Sequence, residues 1–138
     1  MATPTNITIP TTTLSAGKVI FAILNGSADV TTRVTKIFPV VASENATLPY
    51  IRYGRTGMAT NPQKAGLPGA DAALITIECF TADYEEGVEL AEIVRSKLDF
   101  ARYGQDGQMR MRSCTLTDSA EGWNDDAYVQ ELTFQVRI

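Results

Sequence analysis

Residues 72–98 read AALITIECFTADYEEGVELAEIVRSKL, and two unlike periodicities stand back to back in this stretch. Over 72–81, Ile75, Ile77 and Cys79 alternate with Leu74, Thr76, Glu78 and Phe80, which is the period-two pattern of a β-strand. From Asp83 onward the period becomes helical. Gly87, Leu90, Ala91, Val94 and Leu98 recur at intervals of three and four and form one apolar stripe. Asp83, with Glu86 three residues on, forms an Asp-x-x-Glu capping box. Glu85, Glu89 and Glu92 point outward, with Arg95 and Lys97 near the end, an ordering that the helix dipole favours. A strand that runs directly into an amphipathic helix places both element types in one packed unit.

Downstream, residues 103–107 read as a turn and 109–118 alternate as a strand. Residues 119–126 read as an acidic turn containing Trp123. The last stretch, 128–138, is a long strand. Tyr128, Leu132, Phe134, Val136 and Ile138 share one face, and Val129, Glu131, Thr133, Gln135 and Arg137 share the other. Upstream, Thr13 or Ser15 caps a helix to Asn25, with Val19, Ile20, Ala22, Ile23 and Leu24 apolar. Asn25-Gly26 is a helix stop, since both residues tolerate the left-handed conformation. Ser27 caps a short further turn around 29–32. Residues 37–42 read as a strand, and Pro39 assigns it to a sheet edge or a strand start. Residues 43–47 read as a turn, and 50–58 as a strand with Ile51 and Tyr53 on one face.

Residues 59–71 contain Asn61-Pro62, Gly66, Pro68 and Gly69 and show little periodicity. This is longer than the ~4–6 residues of an ordinary connection, and its Met58 and Leu67 favour a contact surface. Residues 1–13 are Thr-rich, with Pro4 and Pro10 opposing a helix. They are expected to be an extended arm in which Ile7 and Ile9 alternate with polar residues. The expected organisation is therefore an arm, 1–13, and a single α+β domain, 14–138. That domain is a mostly antiparallel sheet of about five strands with two helices packed on one face.

Composition narrows the chemistry. The 138 residues include 12 Lys and Arg, 16 Asp and Glu and no His, a formal net charge of −4. Without His there is no Ser-His-Asp or Cys-His catalytic unit and no His metal ligand. The acidic balance argues against a protein that works by neutralising phosphates. No apolar run approaches the ~18 residues of a membrane-spanning helix, and 1–13 lacks the basic and apolar regions of a secretory signal. No glycine motif has phosphate-loop or dinucleotide spacing. Cys79 reads as core. Cys114 has Arg110 and Arg112 on its side of the strand, yet nothing pairs it with a base. Asp118, Glu121, Asp125 and Asp126 lie within nine residues, but their spacing does not match a Ca²⁺ loop. Arg52, Arg55, Arg110, Arg112 and Arg137 fit either a polar sheet face or an intersubunit salt-bridge surface.

The order of elements resembles the tail terminator (tail-completion, head-to-tail joining) proteins of long-tailed bacteriophages. The residues that carry the resemblance are the helix ending near Asn25-Gly26, the strand Ile37-Phe38-Pro39-Val40 and the opening Leu48-Pro49-Tyr50-Ile51. They continue with Leu74-Ile75-Thr76-Ile77-Glu78-Cys79-Phe80-Thr81, its following helix, and the closing strand Leu132-Thr133-Phe134-Gln135-Val136-Arg137-Ile138. The match spans roughly 14–138, and spacing carries more of it than any single motif.

The resemblance implies a virion structural protein with no catalytic residues and no cofactor. It implies a homo-oligomeric ring, commonly a hexamer, that caps the tail tube and meets a head-completion or neck protein. DNA crosses the lumen of such a ring without being held, and no membrane is involved. A ring needs two different complementary surfaces per subunit. The expected interface residues are Ile7 and Ile9 in the arm, and Arg55, Met58, Lys64 and Leu67 in and beside the long loop. Two other readings stay open: another head–tail connector, such as a head-completion or stopper subunit, and a small-ligand-binding α+β domain.

Overall fold

The strand Ala72–Thr81 sits at the centre of a five-stranded sheet in the computed structural model, which describes residues 12–59, 71–104 and 110–138. In chain order, a 3-10 turn Thr13–Ser15 leads into α1 (Ala16–Asn25) and α2 (Ala28–Thr31). Then come β1 (Ile37–Pro39), β2 (Tyr50–Ala59), β3 (Ala72–Thr81), α3 (Tyr84–Leu98), β4 (Ser113–Asn124) and β5 (Ala127–Arg137). The sheet order is β1-β2-β3-β5-β4. Every ladder is antiparallel except β1 with β2, which is parallel. This is the expected α+β architecture.

Alternation along the strands decides where the helices lie. Ile75 and Ile77 of β3, Ile51 of β2, and Phe134 and Val136 of β5 are fully buried on one face. Val19, Ile20 and Leu24 of α1 and Leu90, Val94 and Leu98 of α3 close over them in one core cluster. All five residues of the expected α3 stripe are buried. The other face has no covering helix among the described residues. It carries a smaller cluster of Phe80, Ala127 and Val129, with Leu48 and Tyr50 packed against it. Tyr50 stacks on Phe80 at 4.7 Å between ring centroids. Beside them Arg52 donates two 2.9 Å hydrogen bonds to the Glu78 carboxylate and lies 5.1 Å over the Phe80 ring. Hydroxyls of Thr56, Thr76 and Thr133 form a row across three strands at 2.9 and 3.2 Å.

Several local expectations are corrected. The acidic segment 119–126 is mostly strand: β4 runs to Asn124, and Asp125-Asp126 alone make the turn. Both turn residues have positive φ, 51° and 58°, the two-residue geometry whose twist matches a hairpin. The strand expected from 109 starts only at Ser113. Ahead of it, Met111 and Tyr103 exchange backbone hydrogen bonds of 2.8 and 3.1 Å as an isolated bridge.

The strand expected over 37–42 ends at Pro39. Val40 takes φ 63°, and the Val41 amide bonds back to the Pro39 carbonyl at 2.6 Å, a γ-turn. Gly26 is right-handed, with φ −84°. A side chain there would place Cβ 3.0 Å from the Ala22 carbonyl, so crowding rather than handedness explains the glycine. Neither Asp83 nor Ser27 makes its expected side-chain cap. Thr81 Oγ1 instead donates to the Asp83 carbonyl at 2.7 Å, and the Ser27 hydroxyl is buried without a partner among the described residues.

Candidate assembly surfaces

The strand ladder gives the domain two ends of unlike charge. One corner forms where the β4–β5 turn meets the start of α3. It gathers Asp83, Glu85, Glu86, Glu121, Asp125 and Asp126. The lysine of this end, Lys36, lies across the sheet on the β1 side, its ammonium 5.2 Å over the Phe38 ring. The opposite end of the same hairpin is where β4 begins and β5 finishes. There Arg102, Arg110 and Arg112 line an open cavity of about 550 Å³ with Tyr103, Gly104 and Met111. The Arg112 amide bonds to the Arg137 carbonyl at 2.7 Å, which brings the end of β5 to the same place.

Three aromatic side chains lie within the acidic corner. Trp123 and Tyr128 face each other across the hairpin, 4.9 Å apart and nearly perpendicular, and Tyr84 packs edge-on to Tyr128 at 5.8 Å. The Tyr84 hydroxyl and the Gln130 amide both donate to Glu121 Oε2 at 2.8 Å. Those two donors, Gln130 foremost, hold the Glu121 carboxyl below its ordinary range. The same bond to Glu121 raises the Tyr84 phenol. Because α3 begins only at Tyr84, the hairpin end is not roofed by the helix and Trp123 stays 60% exposed. Sequence reading placed Trp123 in a turn and missed this cluster. Its signal was a single Trp beside acidic residues.

Of the residues expected at interfaces, Arg55 and Met58 lie on β2, on either side of a register shift between Arg55 and Gly57, and both are exposed. The structure does not bring them to the acidic corner or to the arginine cavity. Ile7, Ile9, Lys64 and Leu67 lie outside the described residues. Of the expected arm, Thr13 opens the 3-10 turn and Thr12 caps it, its hydroxyl accepting from the Leu14 amide. A further apolar surface, Val40 and Val41, is exposed at 68% and 71% beyond the edge strand β1.

Both cysteine thiols are buried and held in the protonated form. Burial pushes the Cys79 and Cys114 thiols up to about 12, with Glu78 and Asp99 respectively adding to the shift. The arginines expected beside Cys114 do not activate it, since the thiol points into the core while Arg112 is exposed before β4. Asp118 opposes Thr133 and Glu121 opposes Gln130, so the pleat turns these two carboxylates to opposite faces. Among the described residues no group of three Asp, Glu or Cys converges as a cation site.

Residues 18–138 match the family model described as Tail completion protein gp17. A solved chain from the structure titled "Virion of native gene transfer agent (GTA) particle" has the same fold. It is 18% identical, with a TM-score of 0.69, and the alignment covers 86% of this chain and 90% of that one. No curated protein matches the sequence.

Proposed function

The chain belongs to the tail completion protein gp17 family, structural proteins of the phage virion, and we propose that it forms a closed ring terminating the tail tube. In this reading the ring joins the tube to the head-completion or neck protein and acts by contact rather than catalysis. The observation that carries the ring is the pair of unlike exposed surfaces at the two ends of the β4–β5 hairpin. A closed head-to-tail assembly requires two different complementary surfaces on each subunit, and a symmetric dimer does not.

Six copies at −4 each would carry −24 formally. A lumen without excess positive charge lets DNA pass without being gripped, since phosphate binding is driven by Lys and Arg neutralisation.

The test is to make particles from a phage carrying this gene with the chain deleted and to image them. Filled heads beside unjoined tails that lack a normally terminated end are expected. Normal joined particles contradict the reading. Tails joined to nothing but normally terminated favour a stopper or head-completion position in the same connector.

A further inference from the structure

We propose that the acidic hairpin corner of one copy, with Trp123 at its centre, docks into the arginine cavity at the opposite end of the next copy. This rests on the ring reading and names the surfaces that close it. The two sites sit at the ends of a single strand, β4, of 12 residues. At ~3.4 Å per residue they are separated by roughly 40 Å, about the span of the domain. They therefore cannot satisfy each other within one chain.

Charge selects the pairing. Two acidic corners repel, and so do two arginine ends, so contacts between like ends are disfavoured and acidic-to-basic contact is favoured. That contact is heterologous, as a ring requires. The chemistry of the two surfaces is also matched. Arg102 and Arg112 are exposed and supply planar guanidinium groups, which pair with carboxylates in a fork and stack on an indole. Arg110 keeps an interaction within its own chain and serves as cavity wall. The corner offers an exposed indole flanked by Asp125, Asp126 and Glu121, none of which has an ion pair among the described residues. Trp, Tyr and Arg are the residues most enriched at the energetic centres of interfaces. Asp99, the described acid nearest the start of β4, is already paired with Arg95 at 3.4 Å.

The chain has a single Trp, so its fluorescence reports this contact directly. Wild-type protein is diluted through a concentration series at low salt and at 0.5 M NaCl, following native mass and Trp emission together. Assembly with a blue-shifted emission, lost on dilution and in high salt, is expected; charge contacts are screened over ~10 Å already at 0.1 M salt. Two variants follow, each checked for folding by circular dichroism. The acidic-end variant is Glu85→Lys with Asp125→Asn and Asp126→Asn, since Asn keeps the left-handed turn. The basic-end variant is Arg102→Glu with Arg112→Glu. Each alone is expected to be a monomer. Mixed one to one they are expected to give a heterodimer and nothing larger, because only one intact interface remains.

Wild type that assembles while both variants assemble equally well overturns this interface and leaves the ring intact. Wild type that stays monomeric at low salt, yet forms rings on added tail-tube protein, also overturns it alone. Wild type that stays monomeric even with tube protein overturns the ring as well. If the basic-end variant assembles normally but loses binding to a DNA oligonucleotide, the arginine cavity serves nucleic acid and the inference fails.

Discussion

Replacing Gly87 with Ala sets two effects of similar size against each other, and the geometry decides the sign. Gly87 lies one turn into α3, where Ala is favoured over Gly by ~1 kcal/mol. An added Cβ, however, would meet Thr81 Oγ1 at 2.8 Å and Gln130 Cγ at 3.5 Å. Thr81 is fully buried, and its hydroxyl is fixed by donating to the Asp83 carbonyl at 2.7 Å.

Two relaxations are available. The helix can lift from β3, loosening Leu90 and Val94, at ~1–3 kcal/mol for an overpacked site. Alternatively Thr81 can rotate and give up its bond, at ~1 kcal/mol plus the cost of a poorer rotamer. Either exceeds or cancels the propensity gain, and the net expectation is a loss of ~1 kcal/mol, or ~4 °C in Tm for a domain of this size. In a Thr81→Ala background the obstruction is gone, and Gly87→Ala should then stabilise by up to ~1 kcal/mol. Urea unfolding of the four proteins gives the cycle. A Gly87→Ala protein more stable than wild type, or a cycle with no coupling, would refute the claim that α3 is seated by contact at this glycine.

Other expectations follow from the same structure. Phe134→Ala removes a fully buried ring from the core face of β5 and should cost ~3–5 kcal/mol by urea unfolding. Arg52→Met leaves the Glu78 carboxylate opposite Glu131 on the uncovered sheet face. A loss of ~1–2 kcal/mol is expected by the same assay, small because the pair is partly solvated. Both thiols lie at about 12 in the folded chain against an ordinary 9, so the folded state retains protons that the unfolded state releases. Their contribution to stability is therefore complete below pH 9 and declines as the pH rises towards 12, which Tm measured across that window would detect. By the same logic a disulfide-exchange thiol reagent at pH 8 should label neither Cys79 nor Cys114 until urea unfolds the protein.

The periodicities of β3 and α3 were legible because the helix-covered face of the strand and one stripe of the helix are buried, which leaves one consistent period for each. Residues 119–126 were poorly legible. There the hairpin extends beyond the helix roof, both faces are wet, and no burial imposes alternation on Ser119, Glu121 or Asp125. The tight turn also used Asp-Asp rather than a glycine signal. Pro39 correctly marked an edge strand, but nothing in the composition of 37–42 revealed that Val40 would take a left-handed turn.

The same cause hid the assembly surfaces. Surface residues are fixed by partners absent from the chain's own pattern, so Arg55 and Met58 were accessible to reasoning only through their place beside a long loop. The acidic corner came from elements 39 residues apart in sequence, α3 at Tyr84 and the hairpin at Trp123, which only the fold brings together. Charge order along α3 was readable. Its continuation into the hairpin was not.

Whether this chain acts as a ring on the tail tube can be read from the mass of the purified protein in solution, alone and with its tail-tube protein. A closed oligomer, six copies by family resemblance, is expected either free or assembled on tube ends. A tight monomer or dimer whose mass is unchanged by tube protein would contradict it.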